Sequence, residues 1–274
     1  MNKTNIIPDQ NTQIPNLFSL ILVILLALLV RTFVMELFFV PSGSMKPTIL
    51  ENDYIFSTKY SYGYSRYSFP FSPNIFSGRI FKADPQRGDI IVFRPPNNMG
   101  IRYIKRLIGL PGDKVQIIND LLYVNGKAVE RTASGIYTSE SGKVYKKFKE
   151  TLPNGVSYIT YQLQKFPEAV VTEDSSFEVP EGKYFFLGDN RDESRDSRMD
   201  LGYVPFENCI AKARFIIFST QEKLWKDEVP LIDQIFDIKT WMRVVPWITS
   251  IRLNRLFKPL SGASQMAART DSLK

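Results

Sequence analysis

The residues best suited to chemistry stand at Pro41-Ser42-Gly43-Ser44-Met45-Lys46-Pro47-Thr48, just after the longest apolar run in the chain. Glycine tolerates backbone angles that other residues avoid, so Gly43 is predicted to set Ser44 in a sharp, exposed turn. A serine hydroxyl placed that way is a candidate nucleophile, but it is weak at neutral pH without a base. The 274 residues include no histidine. A Ser-His-Asp triad is therefore excluded, as is any zinc-hydrolase motif built on histidine. A base for Ser44 must be a lysine or a carboxylate. The same octapeptide also reads as a proline-punctuated turn leading out of a membrane anchor.

The search for that base leads to Ile101–Ile108. Period-two alternation puts Ile101, Tyr103, Lys105 and Leu107 on one strand face, and Arg102, Ile104, Arg106 and Ile108 on the other. Lys105 thus stands in an apolar stripe between an aromatic and a leucine. Such a lysine either snorkels to water or is desolvated, loses basicity and becomes a usable neutral amine. Lys46 is a poor rival, because it lies beside Pro47 in a turn with nothing to desolvate it. A third polar concentration follows Tyr184–Leu187: five acids and three arginines fall between Asp189 and Asp200. It reads as a solvated loop or as a mutually paired acid–arginine network. It is not a calcium loop, since Arg191 and Arg195 stand where oxygen ligands are needed.

The elements that must position these groups are mostly strands. Residues 1–16 are polar and read as a short disordered tail. Leu17–Val30 is 14 residues long with only Ser19 polar. Extended past Arg31 to about Met35, it approaches the roughly 20 residues a spanning helix needs, with Arg31 snorkelling to the far interface. No small-x-small site follows it, so an uncleaved anchor is expected rather than a signal peptide. Lys3 precedes the span, while Arg31 and Lys46 follow it, so charge alone does not put the tail in the cytoplasm. Tyr54–Phe56, Ile90–Phe93, Lys114–Ile118, Leu121–Val124, Ser157–Leu163, Tyr184–Leu187 and Ala211–Phe218 are predicted strands. Asn125-Gly126 is a hairpin turn. Residues 131–155 are polar and predicted to be loop. The aromatic stretch 60–80 reads either as an interfacial patch or as a loop packed on its own sheet. Residues 261–274 look disordered, and Leu231–Leu260 is too charged to span a bilayer. The net charge of +7 is spread along the chain, so nucleic-acid binding is not indicated. A modest positive excess suits a surface near anionic lipid. Cys209 is the single cysteine, so no internal disulfide forms and the compartment stays open.

Three segments taken together are more specific than any one: Pro-Ser-Gly-Ser-Met-x-Pro-Thr after an anchor, Tyr-Ile-Lys-Arg followed by Gly-Leu-Pro-Gly-Asp, and Gly-Asp-Asn-Arg-Asp-x-Ser-x-Asp-Ser-Arg. In this order the chain, from about Arg31 to Phe218, resembles bacterial type I signal peptidases, membrane-bound serine–lysine proteases that free exported preproteins from their signal peptides. The resemblance implies a mainly β fold: an antiparallel β catalytic core (37–113 and 184–220) interrupted by a smaller inserted β domain (114–183). A tail (1–16) and one transmembrane helix (17–36) precede it, and a partly disordered extension (221–274) follows. It implies Ser44 as nucleophile and Lys105 as general base. Ser42 matches the hydroxyl that completes the oxyanion hole with the Ser44 N–H, and Ser194 matches a serine that orients the lysine. Asp189, Asp196 and Arg198 match a buried supporting network. Val40, Pro41, Met45, Ile49, Tyr103 and Ile104 match walls of pockets for small side chains. The implied partners are exported preproteins and membrane lipid, with no nucleic acid, no metal and no cofactor. The implied place is the cytoplasmic (inner) membrane, with the tail in the cytoplasm and the catalytic domain on the outer (periplasmic) face. The chain departs from better-known members in having one span rather than two, and in carrying Glu193 and Arg195 around Ser194. Two other readings remain: a self-cleaving Ser/Lys protease of the repressor type, against which the anchor argues, and a non-enzymatic anchored β module.

Overall fold

The computed structural model describes residues 17–74, 76–164, 175–222, 242 and 244–260. The expectations for the tail, for 261–274 and for most of 221–243 lie outside the described residues.

Helix α1 (Leu17–Leu29) continues as one wider turn over Val30–Val34. Together they form an 18-residue apolar stretch with mean hydropathy 2.8, almost unburied by the rest of the chain. At 1.5 Å per residue this is about 27 Å, close to the thickness of a bilayer core. The helix stops two residues sooner than predicted. Met35 is already extended (φ −147, ψ 157) and opens a strand. The reason is Glu36: its carboxylate is buried and engaged by Lys59 (2.8 Å), Arg102 (3.1 Å) and Arg31 (3.6 Å). A carboxylate held by two cations of the folded body, Lys59 and Arg102, as well as by Arg31 at the end of the helical stretch, cannot remain on a lipid-facing helix.

The strands, in chain order, are β1 (Met35–Phe39), β2 (Asp53–Thr58), β3 (Ile90–Phe93), β4 (Tyr103–Gly109), β5 (Lys114–Ile118), β6 (Leu121–Val124), β7 (Lys127–Ala128) and β8 (Glu130–Thr138). They continue as β9 (Val144–Thr151), β10 (Ser157–Leu163), β11 (Ser175–Glu178), β12 (Lys183–Leu187), β13 (Val204–Pro205), β14 (Cys209–Ser219) and β15 (Lys258–Pro259). The main sheet is antiparallel in the order β1-β2-β14-β3-β4-β12-β13, with β15 on β14. Its central strands β3, β4 and β12 are almost wholly buried. β3 and most of β12 read as continuous apolar runs, whereas β4 carries Lys105 and Arg106 at its middle. Two smaller sheets follow β4 in the chain: β11-β5-β6-β7 and β10-β9-β8. The first shares a core with the main sheet, where Val115, Leu122, Val124 and Val179 pack with Ile108, Phe185 and Leu187.

Residues 131–155 are a correction. They are not a loop but the hairpin β8–β9, in register from Glu130↔Thr151 to Thr138↔Val144. The outer face of this hairpin is solvated and its inner face carries tyrosines and Glu150 rather than aliphatics, so no alternation of apolar residues marks it. Tyr137, Tyr145 and Tyr161 stack across the three strands at 5.0–6.0 Å. The aromatic stretch 60–80 divides. Tyr62 and Tyr67 are buried, whereas Tyr60 and Phe71 are exposed. Phe69 and Tyr64 meet Phe33 at the end of the apolar stretch, and Tyr64 donates to the Phe33 carbonyl (2.8 Å).

Candidate active site

Ser44 lies in the turn between β1 and β2. Met45 and Ile49 pin that turn from below, fully buried with Val40, Ile55, Ile90 and Ile216. Lys46 N–H donates back to the Gly43 carbonyl (3.1 Å), and Ile49 N–H to that of Met45 (3.0 Å). Gly43 does not adopt the left-handed angles expected of it. Its missing side chain matters for space: the Lys46 and Glu51 side chains, paired at 3.3 Å, press where a Cβ would sit. From the far side of the chain, Arg255 holds the base of the turn, pairing with Asp53 (2.6 Å) and donating to the Thr48 carbonyl (3.0 Å).

Lys105 is delivered by β4, opposite Ile91 of β3. Its Nζ lies 2.6 Å from Ser44 Oγ and 3.2 Å from the Ile104 carbonyl oxygen. The residue is only 4% exposed, and Nζ sits 5.3 Å from the centre of the Tyr103 ring. Burial pushes the amine down from its ordinary value to about 8, while the more distant charges of Asp196 and Asp189 hold it up. Lys46, the rival, is taken by Glu51.

Behind this pair runs a dense polar layer. Asp189 grips Arg106 through two bonds (2.8 and 2.7 Å) and accepts from Thr48 Oγ1 (2.5 Å). Asp196 pairs with Arg198 (2.8 Å) and accepts from Gly188 N–H (3.0 Å). Asn190 N–H donates to the Ser44 carbonyl (3.1 Å), and its side-chain amide donates to that of Gly43 (3.2 Å). The Ser44 turn and the acidic segment are thereby one unit. The sheet β10-β9-β8 clamps the same segment: Glu150 pairs with Arg191, Tyr161 N–H donates to the Asp189 carbonyl (2.8 Å), and Lys143 and Tyr145 hold Glu193.

Ser42 is exposed, with Oγ 3.5 Å from Ser44 Oγ. Ser194 is brought in beside them, buried against Gly188, where a Cβ would strike both Ser194 Oγ and the Ser44 carbonyl. Its hydroxyl has no hydrogen-bond partner among the described residues, so no bond from it orients Lys105 here. A cleft of about 440 Å³ opens over Ser44 and Lys105. Val40, Pro41, Tyr103 and Ile104 line it, whereas Met45 and Ile49 do not. Those two are core residues beneath its floor. Phe38, Val92, Arg102 and Arg195 are further lining residues that the sequence did not point to. Arg106, Thr48, Asn190 and Glu150 were missed as well. Only Arg106 carried a signal, as the neighbour of Lys105 on the opposite strand face. Among the described residues no cluster of three or more His, Cys, Asp or Glu could hold a metal.

The sequence pattern of the family described as "Signal peptidase, peptidase S26" matches residues 14–218. Signal peptidase I of Rickettsia canadensis (strain McKiel) is 58% identical over 250 residues, covering 88% of this chain and 91% of that protein. Signal peptidase I of Rickettsia prowazekii (strain Madrid E) is 55% identical over 267 residues, covering 95% and 98%. A crystal structure of a signal peptidase I from Enterococcus faecalis V583 is 33% identical, covers 47% of this chain and 97% of its own, and superposes with a TM-score of 0.31.

Proposed function

The chain belongs to the signal peptidase family of peptidase S26 and is a membrane endopeptidase that removes signal peptides from exported preproteins, and we propose that Ser44 and Lys105 carry out its chemistry. The observation that carries this reading is the 2.6 Å contact between Lys105 Nζ and Ser44 Oγ at a buried amine. With a pKa of about 8, about one amine in ten is neutral at pH 7, against about one in a few thousand at the ordinary lysine value. The neutral amine accepts the Ser44 proton as Oγ attacks the scissile carbonyl. The Ser42 hydroxyl and the Ser44 N–H donate to the developing oxyanion, where losing one donor typically costs about 3 kcal/mol. The Lys105 ammonium returns the proton to the leaving amine, and the C–N bond breaks. Water then attacks the ester, giving one proton to Lys105, which passes it to Ser44 Oγ as the acyl C–O bond breaks; the signal peptide leaves as a carboxylic acid that ionises in water. Ser194 supplies a buried, uncommitted hydroxyl oxygen to the ammonium while it is charged. Asp189, Asp196 and Arg198 hold the segment that carries Ser194 in place.

Val40, Pro41, Tyr103 and Ile104 form the walls against which small residues before the cut fit. The inserted domain is 114–183, and the catalytic core is 37–113 with 184–220. The enzyme sits in the cytoplasmic membrane with its tail in the cytoplasm and its catalytic body outside, because a cut behind an exported signal peptide is made on the side the chain is exported to. Phe33, Tyr64 and Phe69 cluster where the apolar stretch ends, a composition suited to the lipid interface. The test is incubation of the solubilised full-length protein with a preprotein, reading the new N-terminus of the product. A cut after a small residue that vanishes in Ser44→Ala supports the reading, and turnover by pure Ser44→Ala refutes it.

A further inference from the structure

A second concavity lies on the membrane side of the cleft. It is an open groove of about 560 Å³ between α1 and the start of β1. Its helical wall is Val23, Leu26, Ala27 and Val30, and its other wall is Met35 and Leu37. Positions 23, 26, 27 and 30 follow the i, i+3, i+4, i+7 rule and so make one helix stripe. Ala27 is the smallest of the four, and a small residue is what lets another helix approach closely in a bilayer. Among the described residues nothing covers this stripe: every residue of α1 is exposed.

The groove and the cleft meet at one residue. Glu36 lines the groove together with Arg31, and its carboxylate holds Arg102, which lines the cleft. The next residues of β1, Phe38 and Phe39, are already cleft wall. From Met35 at the groove to Val40 beside Ser44 is five residues of extended chain, about 17 Å. A peptide lying along β1 with its scissile carbonyl at Ser44 therefore reaches the groove about five residues before the cut. A signal peptide has an apolar segment of about 7–15 residues just ahead of a small-residue cleavage site. The helical wall, Val23 to Val30, is about 10 Å or two helical turns long, and so grips the last turns of that segment.

We propose that the α1–β1 groove is a docking site for the apolar helix of the signal peptide, holding it in the membrane while the extended residues after it enter the cleft. This rests on the signal-peptidase reading above and adds a second point of recognition to it. The charges at the top of the groove mark where the bound segment leaves lipid: below Arg31 and Glu36 the lining is apolar, and from Phe38 onward the walls belong to the cleft.

The test uses the full-length protein in vesicles of phosphatidylcholine and phosphatidylglycerol, with two substrates: a preprotein with its apolar segment, and a short peptide covering only the residues around the cut. Ala27→Trp fills the groove, and Leu25→Trp places the same ring on the opposite face of the exposed helix. Filling the groove is expected to raise KM for the preprotein about tenfold with kcat unchanged, the mark of lost uniform binding. The short peptide is expected to be cut as before, and Leu25→Trp to change neither substrate. Equal effects of the two tryptophans on the preprotein, or an equal effect of Ala27→Trp on both substrates, would overturn the groove. Failure of the unaltered protein to cut either substrate would instead strike the signal-peptidase reading. Thiol cross-linking gives an independent arm, since Cys209, the only native cysteine, is buried. In a Ser44→Ala background, Ala27→Cys is expected to couple to a cysteine placed in the preprotein's apolar segment, and Leu25→Cys is not. Coupling of Ala27→Cys to a second copy of the chain in place of the preprotein would overturn the proposal.

Discussion

Strand β4 carries two cations side by side, and each enters a different region of the molecule. Lys105 turns into the cleft, where its nearest polar partner is the Ser44 hydroxyl and the walls are aromatic and aliphatic. Arg106 turns into the layer behind, where Asp189 meets it through two bonds and the Tyr158 ring lies 4.0 Å from its guanidinium. Both are at most 4% exposed. Burial lowers the basicity of both, but only Arg106 has a carboxylate in contact, and that partner turns its net shift upward. A buried cation without a touching anion gives up its proton readily; one with such an anion keeps it. In the mechanism proposed above, the first serves chemistry and the second architecture. Asp189 serves both, since it also raises Lys105 from a distance and so limits how far burial can take it.

The largest expected effect lies on the chemical side. Ser44→Ala and Lys105→Arg should each lower kcat by about 10⁴-fold or more with the fold intact. The first removes the nucleophile, and the second installs a base that never releases its proton. Circular dichroism alongside peptide cleavage checks both, and near-normal turnover by Lys105→Arg would erase the distinction between the two cations. On the architectural side, Arg106→Met leaves Asp189 charged and unpaired, and should cost about 3–5 kcal/mol in stability by urea unfolding. A loss of activity in Arg106→Met without any loss of stability would show that Arg106 belongs to the chemistry instead.

Lys105→Met sharpens the contrast from the other direction. In the folded state Lys105 has a pKa of about 8 against an unfolded value of 10.5. The folded state therefore binds its proton more weakly, and the residue costs stability at every pH below 10.5. That cost is full below about pH 8, amounts to about 3 kcal/mol, and fades as pH rises to the unfolded value. The inactive Lys105→Met should accordingly be more stable than the parent by up to about 3 kcal/mol at pH 7, with little gain near pH 10.5. A variant less stable than the parent at pH 7 would mean that the amine is better solvated than its burial implies. The smallest effect concerns Ser194, whose hydroxyl has no hydrogen-bond partner among the described residues. Ser194→Ala should lower kcat by about 10–100-fold while KM holds, a share typical of one supporting hydrogen bond. An unchanged kcat would leave Ser194 as packing alone.

The chemical side of β4 was the more legible in sequence. The absence of histidine forced a lysine or a carboxylate on Ser44, and period-two alternation singled out Lys105 among apolar neighbours. The architectural side was legible only in halves. Alternation put Arg106 on the opposite face, but its partner stands 83 positions away, and Arg102, on the same face, goes to Glu36 instead. Distance hid Arg255 as well, which reaches back 202 positions to Asp53. The hairpin β8–β9 was invisible because its inner face carries tyrosines and a paired glutamate where aliphatic residues would have shown the alternation. The end of the helical stretch was misplaced because the residues on both sides of Glu36, Phe33–Met35 and Leu37–Phe39, are apolar. Only the folded body, by bringing Lys59 and Arg102 to Glu36 beside Arg31, decides where the strand begins.

The central claim is that burial, relieved by no touching carboxylate, makes Lys105 a base near neutral pH. Its most direct test is the pH dependence of kcat/KM for a short peptide, since that profile reports the essential base of the free enzyme. The rate should rise as Lys105 loses its proton, along a single limb with an apparent pKa of about 8. A limb near 10.5, the ordinary lysine value, would contradict the account, as would a profile flat from pH 6 to pH 10.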